Sequence, residues 1–349
     1  MMTTGLTHRC AFVVGVLLAL SVAAPKQASA ETLGETYRRV NSSVVVIRAR
    51  GEEVTEEGLS HFREVGSGVL ISSDGKIATA AHVVHTMKEV LVEFLGEDPA
   101  PARVIASEPR ADISIIQASV VPRDAVVSPL TDSDPVKVGD SVFIVGAPYG
   151  LSHSLSSGII SARWEPNAVT PDFPLAEFFQ TTAVINTGNS GGPMFSWTGQ
   201  LIGIVSHNIT KSGGSEGLGF VVTANTVRKL LLERNRRWYG LDLLLVTGAM
   251  AEALHVPQAG GFLVKQVVPD SIAGQIGLRG GNRMGIVDGR PVVVGGDIIL
   301  SVQGIAVTSN EEMVRVLKSL ETLRPGEDLR VTVLRDEKVQ ELSTKFTDR

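Results

Sequence analysis

The chain of 349 residues has only one cysteine, Cys10, which lies near its N-terminus. A disulfide bond needs two thiols, so an internal disulfide and a cysteine-based metal site are both excluded. The residues leading up to this cysteine, "THRC", also lack the leucine and small side chains expected before a lipidated cysteine.

Positive charge is also scarce, with 32 Lys and Arg against 37 Asp and Glu and a net charge of −5 at pH 7. Proteins that bind nucleic acid or anionic lipid by surface charge carry a basic excess, so we predict no nucleic-acid partner. With 43% hydrophobic and 20% charged residues, the composition indicates a globular chain, long enough for two or three domains.

Near the N-terminus, residues 11–24 form an apolar run preceded by Arg9. The small residues Ala28-Ser29-Ala30 then offer a cleavage site before Glu31. The pattern predicts a cleaved signal peptide over residues 1–30, because the run is short for a membrane span. Export without disulfides suits the bacterial periplasm, which is the predicted location; an uncleaved anchor through residues 11–24 is the alternative.

The region from Val44 to about Val222 consists of short runs rich in Val and Ile, broken by turn residues. Strands this short and frequent predict an all-β sandwich or barrel. A helix with Asn225 as its N-cap and an arginine-rich C-terminal end is predicted to close the region.

After Tyr239 the chain changes to strands punctuated by glycine and one clear helix. Ser309 and Glu312 form a predicted capping box at the start of that helix. We therefore predict a first domain over residues 31–237 and a second over residues 238–349.

The stretch "NTGNSGGP", residues 186–193, places Ser190 in a G-x-S-x-G pattern. This pattern occurs in the nucleophile elbow of α/β-hydrolases, where a helix follows the serine directly. Here Gly191, Gly192 and Pro193 follow it, and a helix starting there is improbable. An elbow-type esterase is therefore disfavoured.

Two other residues upstream complete a different arrangement. His82 stands in "TAAHVV" at the end of an apolar strand, and Asp112 stands in "ADISII" at the start of another. The order His82, Asp112, Ser190 is that of the chymotrypsin-type barrels. In this order His82 would take the proton from Ser190, and Asp112 would hold the imidazole in the useful tautomer.

With these residues in place, the chain resembles the HtrA/Deg serine proteases, which are trypsin-like barrels followed by PDZ domains. The matching stretches follow in family order: "GSGVLIS", "TAAHVV", "ADISIIQ", "GAPYGLSHSLSSGIISA", "QTTAVINTGNSGGP", "LIGIVS" and "GLGFVV". The resemblance implies a mainly β fold, with a double β-barrel protease domain and one α+β PDZ domain. It covers essentially everything after the predicted signal peptide.

The loop Gly188-Asn189-Ser190 is the predicted oxyanion hole, formed by the backbone amides of Gly188 and Ser190. The chain departs from the family at Thr182, where an acidic residue is usual, and at Thr187, where proline is frequent. His85 and His207 are interpreted as structural. "HVVH" lacks the glutamate and spacing of a zinc-protease helix, so no metal or other cofactor is predicted.

Substrate preference is predicted from the residues beside the nucleophile. Val184 stands six residues before Ser190, where a protease that cleaves after Lys or Arg carries an aspartate. A dry pocket for small aliphatic side chains is predicted from Val184, Ile185, Ile204 and Val205. Because apolar pockets discriminate weakly, cleavage is expected to be permissive.

In the second domain, "RWYGLDLLLV" resembles the carboxylate-binding loop and first groove strand of a PDZ domain. The amides near Tyr239, Gly240 and Leu241 are predicted to capture the C-terminus of a peptide that adds as a strand. Residues 309–323 would form the helical wall of the groove. Residues 279–294 replace a short turn and are predicted to form an extra hairpin.

The leading functional hypothesis is an exported endopeptidase that degrades unfolded proteins. The alternative is a chaperone or PDZ-based binding protein in which proteolysis is secondary. The family resemblance also implies homotrimers or larger assemblies.

Overall fold

The computed structural model describes residues 1–2, 31–151, 153–211, 214–234, 237–287 and 289–347. The predicted signal peptide, apart from its first two residues, lies outside this part of the chain. None of the helices described is both long enough and apolar enough to cross a lipid bilayer.

Within the described residues, the first strands form a closed six-stranded barrel in the order β1-β2-β3-β6-β5-β4. Its strands are β1 (Val44–Thr55), β2 (Gly58–Leu70), β3 (Lys76–Thr79), β4 (Glu89–Phe94), β5 (Ala100–Glu108) and β6 (Ile113–Ala118). The β-branched runs favour pleated strands, and alternate side chains such as Val45, Ile47 and Ala49 fill the barrel interior.

A second closed six-stranded barrel follows, in the order β10-β11-β12-β9-β8-β7. Its strands are β7 (Ser141–Gly146), β8 (Ser154–Trp164), β9 (Phe178–Thr181), β10 (Pro193–Ser196), β11 (Leu201–Asn208) and β12 (Gly219–Thr223). The two barrels confirm the predicted mainly β architecture. They also decide between sandwich and barrel, which the strand pattern had left open.

Short helices flank the barrels: α1 (Leu33–Val40), α2 (Ala81–Val84) and α3 (Ala224–Val227), which continues into a π-helical turn over Arg228–Leu232. The prediction of Asn225 as an N-cap is wrong. Thr223 caps α3 by accepting a hydrogen bond from the amide of Thr226. The Asn225 side chain instead donates to Asp132 and Asp134, in the segment that joins the barrels.

The remaining residues form a third sheet in the order β13-β14-β17-β19-β20, with β18 paired to β17. Its strands are β13 (Leu241–Thr247), β14 (Gly260–Val267), β17 (Ile298–Val302), β18 (Ile305–Ala306), β19 (Asp328–Arg335) and β20 (Lys338–Lys345). The predicted extra hairpin is present as β15 (Arg283–Val287) and β16 (Arg290–Val294).

The helices of this region are α4 (Gly248–Ala253), α5 (Ile272–Gln275) and α6 (Asn310–Glu321). Ser309 caps α6 by accepting from the amide of Glu312, as predicted, whereas the Glu312 carboxylate bonds to Thr308. Arg237 donates to the carbonyls of Leu320 and Leu323 at the other end of α6. The sequence placed Arg237 at the C-terminal end of the helix that closes the first domain. In the structure Arg237 instead stabilises the C-terminus of α6.

Candidate active site

His82 and Asp112 come together at one end of the first barrel. His82 lies on the one-turn helix α2 directly after β3, and Asp112 directly precedes β6. These two strands are hydrogen-bonded neighbours, so their ends present the two side chains to each other. His82 Nδ1 lies 2.9 Å from Asp112 Oδ1 and 3.0 Å from Oδ2.

The Asp112 carboxylate is only 1% exposed and is surrounded by donors. The backbone amide of His82 donates to Oδ1 at 3.1 Å, and the hydroxyl of Ser206 donates to Oδ2. Asp112 itself adopts a left-handed backbone conformation with φ 54°, which an aspartate tolerates better than most residues. The buried carboxylate is thus hydrogen-bonded by donors from two different segments of the chain.

The electrostatics of His82 suit a general base. Burial acts to lower its pKa, but the hydrogen bond and the negative charge of Asp112, with a smaller contribution from Glu64, outweigh burial and raise the pKa above its ordinary value. Its Nδ1 faces Asp112, so the proton on that nitrogen leaves Nε2 as the proton acceptor.

Ser190 lies on the loop before β10, and strands of both barrels hold this loop. From the first barrel, Ser67 on β2 donates its amide to the carbonyl of Ser190 at 2.8 Å and its hydroxyl to the carbonyl of Gly188 at 2.7 Å. From the second barrel, Val205 on β11 pairs with Gly191 and Gly192. The loop backbone is therefore fixed at the barrel junction.

The hydroxyl of Ser190 donates to the carbonyl of Ser206 at 3.1 Å. Among the described residues, no hydrogen bond joins Ser190 Oγ to the ring of His82. The serine is thus placed at the same barrel junction as the histidine, but its hydroxyl points elsewhere.

The turn before Ser190 contains the residues of the predicted oxyanion hole. The amide of Asn189 donates to the carbonyl of Asn186 at 3.0 Å, and Gly188 has φ 99°. A Cβ on Gly188 would lie 2.1 Å from the carbonyl oxygen of Ala147, so only glycine fits there.

The carbonyl of Thr187 in this turn accepts from the amide of Tyr149 at 2.8 Å. In a trans peptide the following amide points the opposite way, so the N–H of Gly188 points away from Tyr149. Neither the Gly188 nor the Ser190 amide donates to an acceptor within the described part of the chain. Both are left available to an oxygen from outside the chain.

The predicted pocket residues differ in exposure. Val184 is 49% exposed, whereas Ile185, Ile204 and Val205 are almost fully buried in the second barrel. The Ile185 side chain packs beside Gly219, where an added Cβ would lie 2.6 Å from Ile185 Cδ1. Ile185 therefore fills much of the space that this glycine leaves open.

The predicted peptide groove lies along β13, which is an edge strand. The Gly240 carbonyl accepts from the Val268 amide across the ladder, so by alternation the polar groups of Leu241 face the open edge. The Leu241 carbonyl accepts a hydrogen bond there from His85 Nε2 at 2.8 Å. The first position of the predicted groove is thus in contact with the barrel.

Partly buried side chains of β13 and α6 pack on one core in this region, among them Leu241, Leu243, Leu245 and Met313. Gly240 has φ 67°, and a Cβ there would lie 2.2 Å from Ser271. The edge strand and the helix that the prediction named therefore contribute to the same apolar core.

Two residues at the site carry roles that sequence reasoning missed. Ser67 anchors the loop of Ser190 and lies in "GSGVLIS", and Ser206 contacts Asp112 and lies in "LIGIVS". Both stretches contribute to the family resemblance, and each contains a small polar residue in an otherwise apolar strand. A polar residue within an apolar strand was the signal from which both roles could have been predicted. In the part of the chain described, no group of His, Cys, Asp and Glu is arranged to hold a metal ion.

Comparison with known proteins agrees with the described fold. A family model described as a trypsin-like peptidase domain matches residues 66–204, and a model described as a PDZ domain matches residues 244–346. A probable periplasmic serine endoprotease DegP-like from Pseudomonas fulva is 34% identical over 242 residues, which are 68% of this chain and 50% of the relative.

A protein of the same description from Brucella suis is 31% identical over 291 residues, covering 81% of this chain and 53% of the relative. The chain thus spans about half the length of the curated relatives it matches. Among solved structures, the HtrA-type protease AlgW with tripeptide has a TM-score of 0.51 at 25% identity, covering 90% of this chain and 96% of that one.

Proposed function

Because the chain belongs to the HtrA/Deg family of trypsin-like serine proteases with a PDZ domain, we propose that it is an exported endopeptidase that cleaves unfolded proteins. The observation that carries the proposal is the buried Asp112 beside His82, at the barrel junction where the Ser190 loop is anchored. The periplasm is the proposed location, as in the names of the relatives.

In the proposed mechanism, His82 Nε2 accepts the hydroxyl proton of Ser190 while Oγ attacks the scissile carbonyl carbon. The amides of Gly188 and Ser190 donate to the resulting oxyanion, and each such donor contributes about 3 kcal/mol. His82 then donates its proton to the leaving amine. Asp112 holds the ring and stabilises the imidazolium, and water releases the acyl group by the same steps.

The direction of the Ser190 hydroxyl implies one movement before this chemistry. Its hydrogen bond to the Ser206 carbonyl must break, and Oγ must turn toward His82. We propose that substrate binding favours the rotamer facing His82. The resting protein is therefore less reactive than the substrate-bound one.

Cleavage is proposed to follow small aliphatic residues such as Val, Ala or Ile. Val184 is apolar and 49% exposed, so it supplies no negative charge to hold Lys or Arg. The preference is expected to be shallow, because a methylene in an apolar pocket changes binding by only about 1–3 kcal/mol.

For the second domain we propose binding of peptide C-termini along β13. A peptide that adds as a strand uses the polar groups on this edge, and its first acceptor, the Leu241 carbonyl, already accepts from His85. His85 caps α2, the helix that carries His82. A peptide in the groove therefore competes with His85 for the Leu241 carbonyl. His85 lies three residues after His82, the proposed general base.

Unfolded proteins are the proposed substrates, and a homotrimer or larger homo-oligomer is the proposed assembly. Both follow from family membership. Permissive cleavage fits such substrates, because they expose many short apolar segments.

The test is digestion of unfolded casein by the wild type and by Ser190→Ala, with the cleavage sites mapped by mass spectrometry. We expect loss of cleavage by a factor of about 10⁴ or more in the variant, with cuts in the wild-type map after Val, Ala and Ile. Retained digestion by folded Ser190→Ala would contradict the mechanism, and a map dominated by Lys and Arg would contradict the pocket. A wild type that only suppresses casein aggregation would favour the chaperone alternative.

A further inference from the structure

His207 lies beside Ser206 on β11, at a point where the strand is irregular. The pairing of β11 with β12 shifts register between Val205 and His207. In a regular strand neighbouring side chains point to opposite faces, but a bulge can turn two of them toward the same side. Here His207 Nδ1 lies 2.9 Å from Ser206 Oγ.

The proton positions follow from counting donors. Ser206 has one hydroxyl proton, and its Oγ lies in very close contact with Asp112 Oδ2. An ionised carboxylate can only accept, so that contact uses the serine proton. The contact between Ser206 and His207 then needs a proton from the ring, which places it on Nδ1 of His207.

Three aromatic rings keep the imidazole in this orientation. His207 stacks on Phe220 with ring centroids 5.1 Å apart and an interplanar angle of 13°. Phe178 meets it edge-on at 5.5 Å, and Phe173 lies 5.4 Å away. The ring therefore has little freedom to turn its Nδ1 away from Ser206.

We infer that His207 is a positioning residue for the proposed triad, because it donates Nδ1–H to Ser206 and so directs the Ser206 hydroxyl onto Asp112. The chain of donors runs from His207 through Ser206 to Asp112, which in turn holds His82. The carbonyl of Ser206 also accepts from Ser190. The inference rests on the proposed function.

The pKa of His207 lies below its ordinary value, chiefly because the ring is buried. Burial lowers its pKa, the charge of His82 lowers it further, and the carboxylates of Asp112 and Asp172 act in the opposite direction. His82 itself faces Asp112, Glu64 and His207. Losing the donor to Ser206 frees part of the Asp112 charge, so the pKa of His82 should rise slightly.

Two substitutions separate the donor from the ring. His207→Phe keeps an aromatic ring among the phenylalanines but has no donor, whereas His207→Asn keeps an N–H group near the Nδ1 position and loses the ring. We expect kcat on a reporter peptide to fall about 3- to 10-fold in His207→Phe with KM nearly unchanged, and its acidic limb to move to higher pH. His207→Asn should stay within about twofold of wild-type kcat.

The exposed His61→Phe serves as the control for a histidine-to-phenylalanine change away from the site. If His207→Phe retains wild-type kcat and pH profile, or if His207→Asn is as impaired as His207→Phe, the inference is overturned. A second readout does not depend on activity: nitrogen-15 NMR of the His207 ring in Ser190→Ala protein. We expect the proton on Nδ1, and a proton on Nε2 would overturn the inference even if the proposed protease function holds. If the wild type has no protease activity, the proposed function is contradicted. The NMR result then still decides whether His207 carries its proton on Nδ1.

Discussion

The two barrels contribute to the candidate active site in different ways. The first barrel supplies His82 and Asp112 as a connected pair, with the carboxylate buried and the ring nitrogen 2.9 Å from it. The second supplies Ser190 on a loop, and its hydroxyl donates to a carbonyl of its own barrel. In one half the histidine and the carboxylate are hydrogen-bonded to each other, and in the other the serine hydroxyl is hydrogen-bonded to a carbonyl and not to the histidine.

This difference has a physical basis in the two supports. His82 follows β3 and Asp112 precedes β6. These two strands are direct neighbours in the sheet, so their pairing sets the distance between the two side chains. Ser190 follows a turn with a positive φ at Gly188, and such a turn depends on contacts from other segments. We therefore expect the second half to respond to perturbation more strongly than the first.

Among changes outside the proposed triad, removal of the contact that joins the two halves should have the largest effect. Ser67→Ala deletes the donor to the Gly188 carbonyl and the acceptor of the Ala147 amide, and both groups are buried. We expect kcat/KM to fall about 10- to 100-fold, because the turn that carries the proposed oxyanion hole loses its hydrogen bond from Ser67. Steady-state kinetics on a reporter peptide measure this.

The exposed Ser73→Ala is the matched control and should retain wild-type kinetics. If Ser67→Ala is folded, as judged by circular dichroism, and as active as the wild type, contacts from the second barrel alone hold the turn at Gly188.

Acidification tests the first half. Because Asp112 raises the pKa of His82, this ring becomes protonated at a higher pH than an ordinary histidine, for which the value is about 6.5. A protonated ring cannot accept the serine proton, so kcat/KM should fall along a limb whose midpoint lies above about 6.5. Burial lowers the pKa of His85 and of His207, so neither should produce this limb.

Values of kcat/KM measured between pH 5 and 8 check this expectation, because they report the protonation of the free enzyme. A rate that is flat across the range would argue against His82 as the base.

The smallest expected effect tests whether the groove reaches the catalytic half. A ten-residue peptide with an apolar, free C-terminus should raise cleavage of a separate reporter about 2- to 10-fold, since it competes with His85 for the Leu241 carbonyl. The same peptide with an amidated C-terminus is the control and should have little effect.

His85→Phe should bind the peptide more tightly and show a smaller rise in cleavage, because the competing donor is gone. Equal activation in wild type and His85→Phe, with peptide binding confirmed separately, would leave the groove as a docking site without this link.

The sequence by itself determined the class of fold, the family and the set of candidate residues. Short runs of Val and Ile with turn residues between them specify strands locally. The order His82, Asp112, Ser190 disfavours the hydrolase elbow without any coordinates. Gly188 could also be assigned to a tight turn from the sequence, because only a residue without a Cβ suits such a backbone.

Only the tertiary structure decided how these parts act on one another. Ser67 and Gly188 are 121 residues apart, Ser206 and Asp112 are 94 apart, and His85 and Leu241 are 156 apart. Hydrogen bonds of this range depend on how barrels close and which edges meet, and no local pattern encodes them. The shift in β11 register also depends on strand pairing and not on residue type. At this irregular point the ring of His207, interpreted from the sequence as structural, lies within hydrogen-bond distance of the Ser206 side chain.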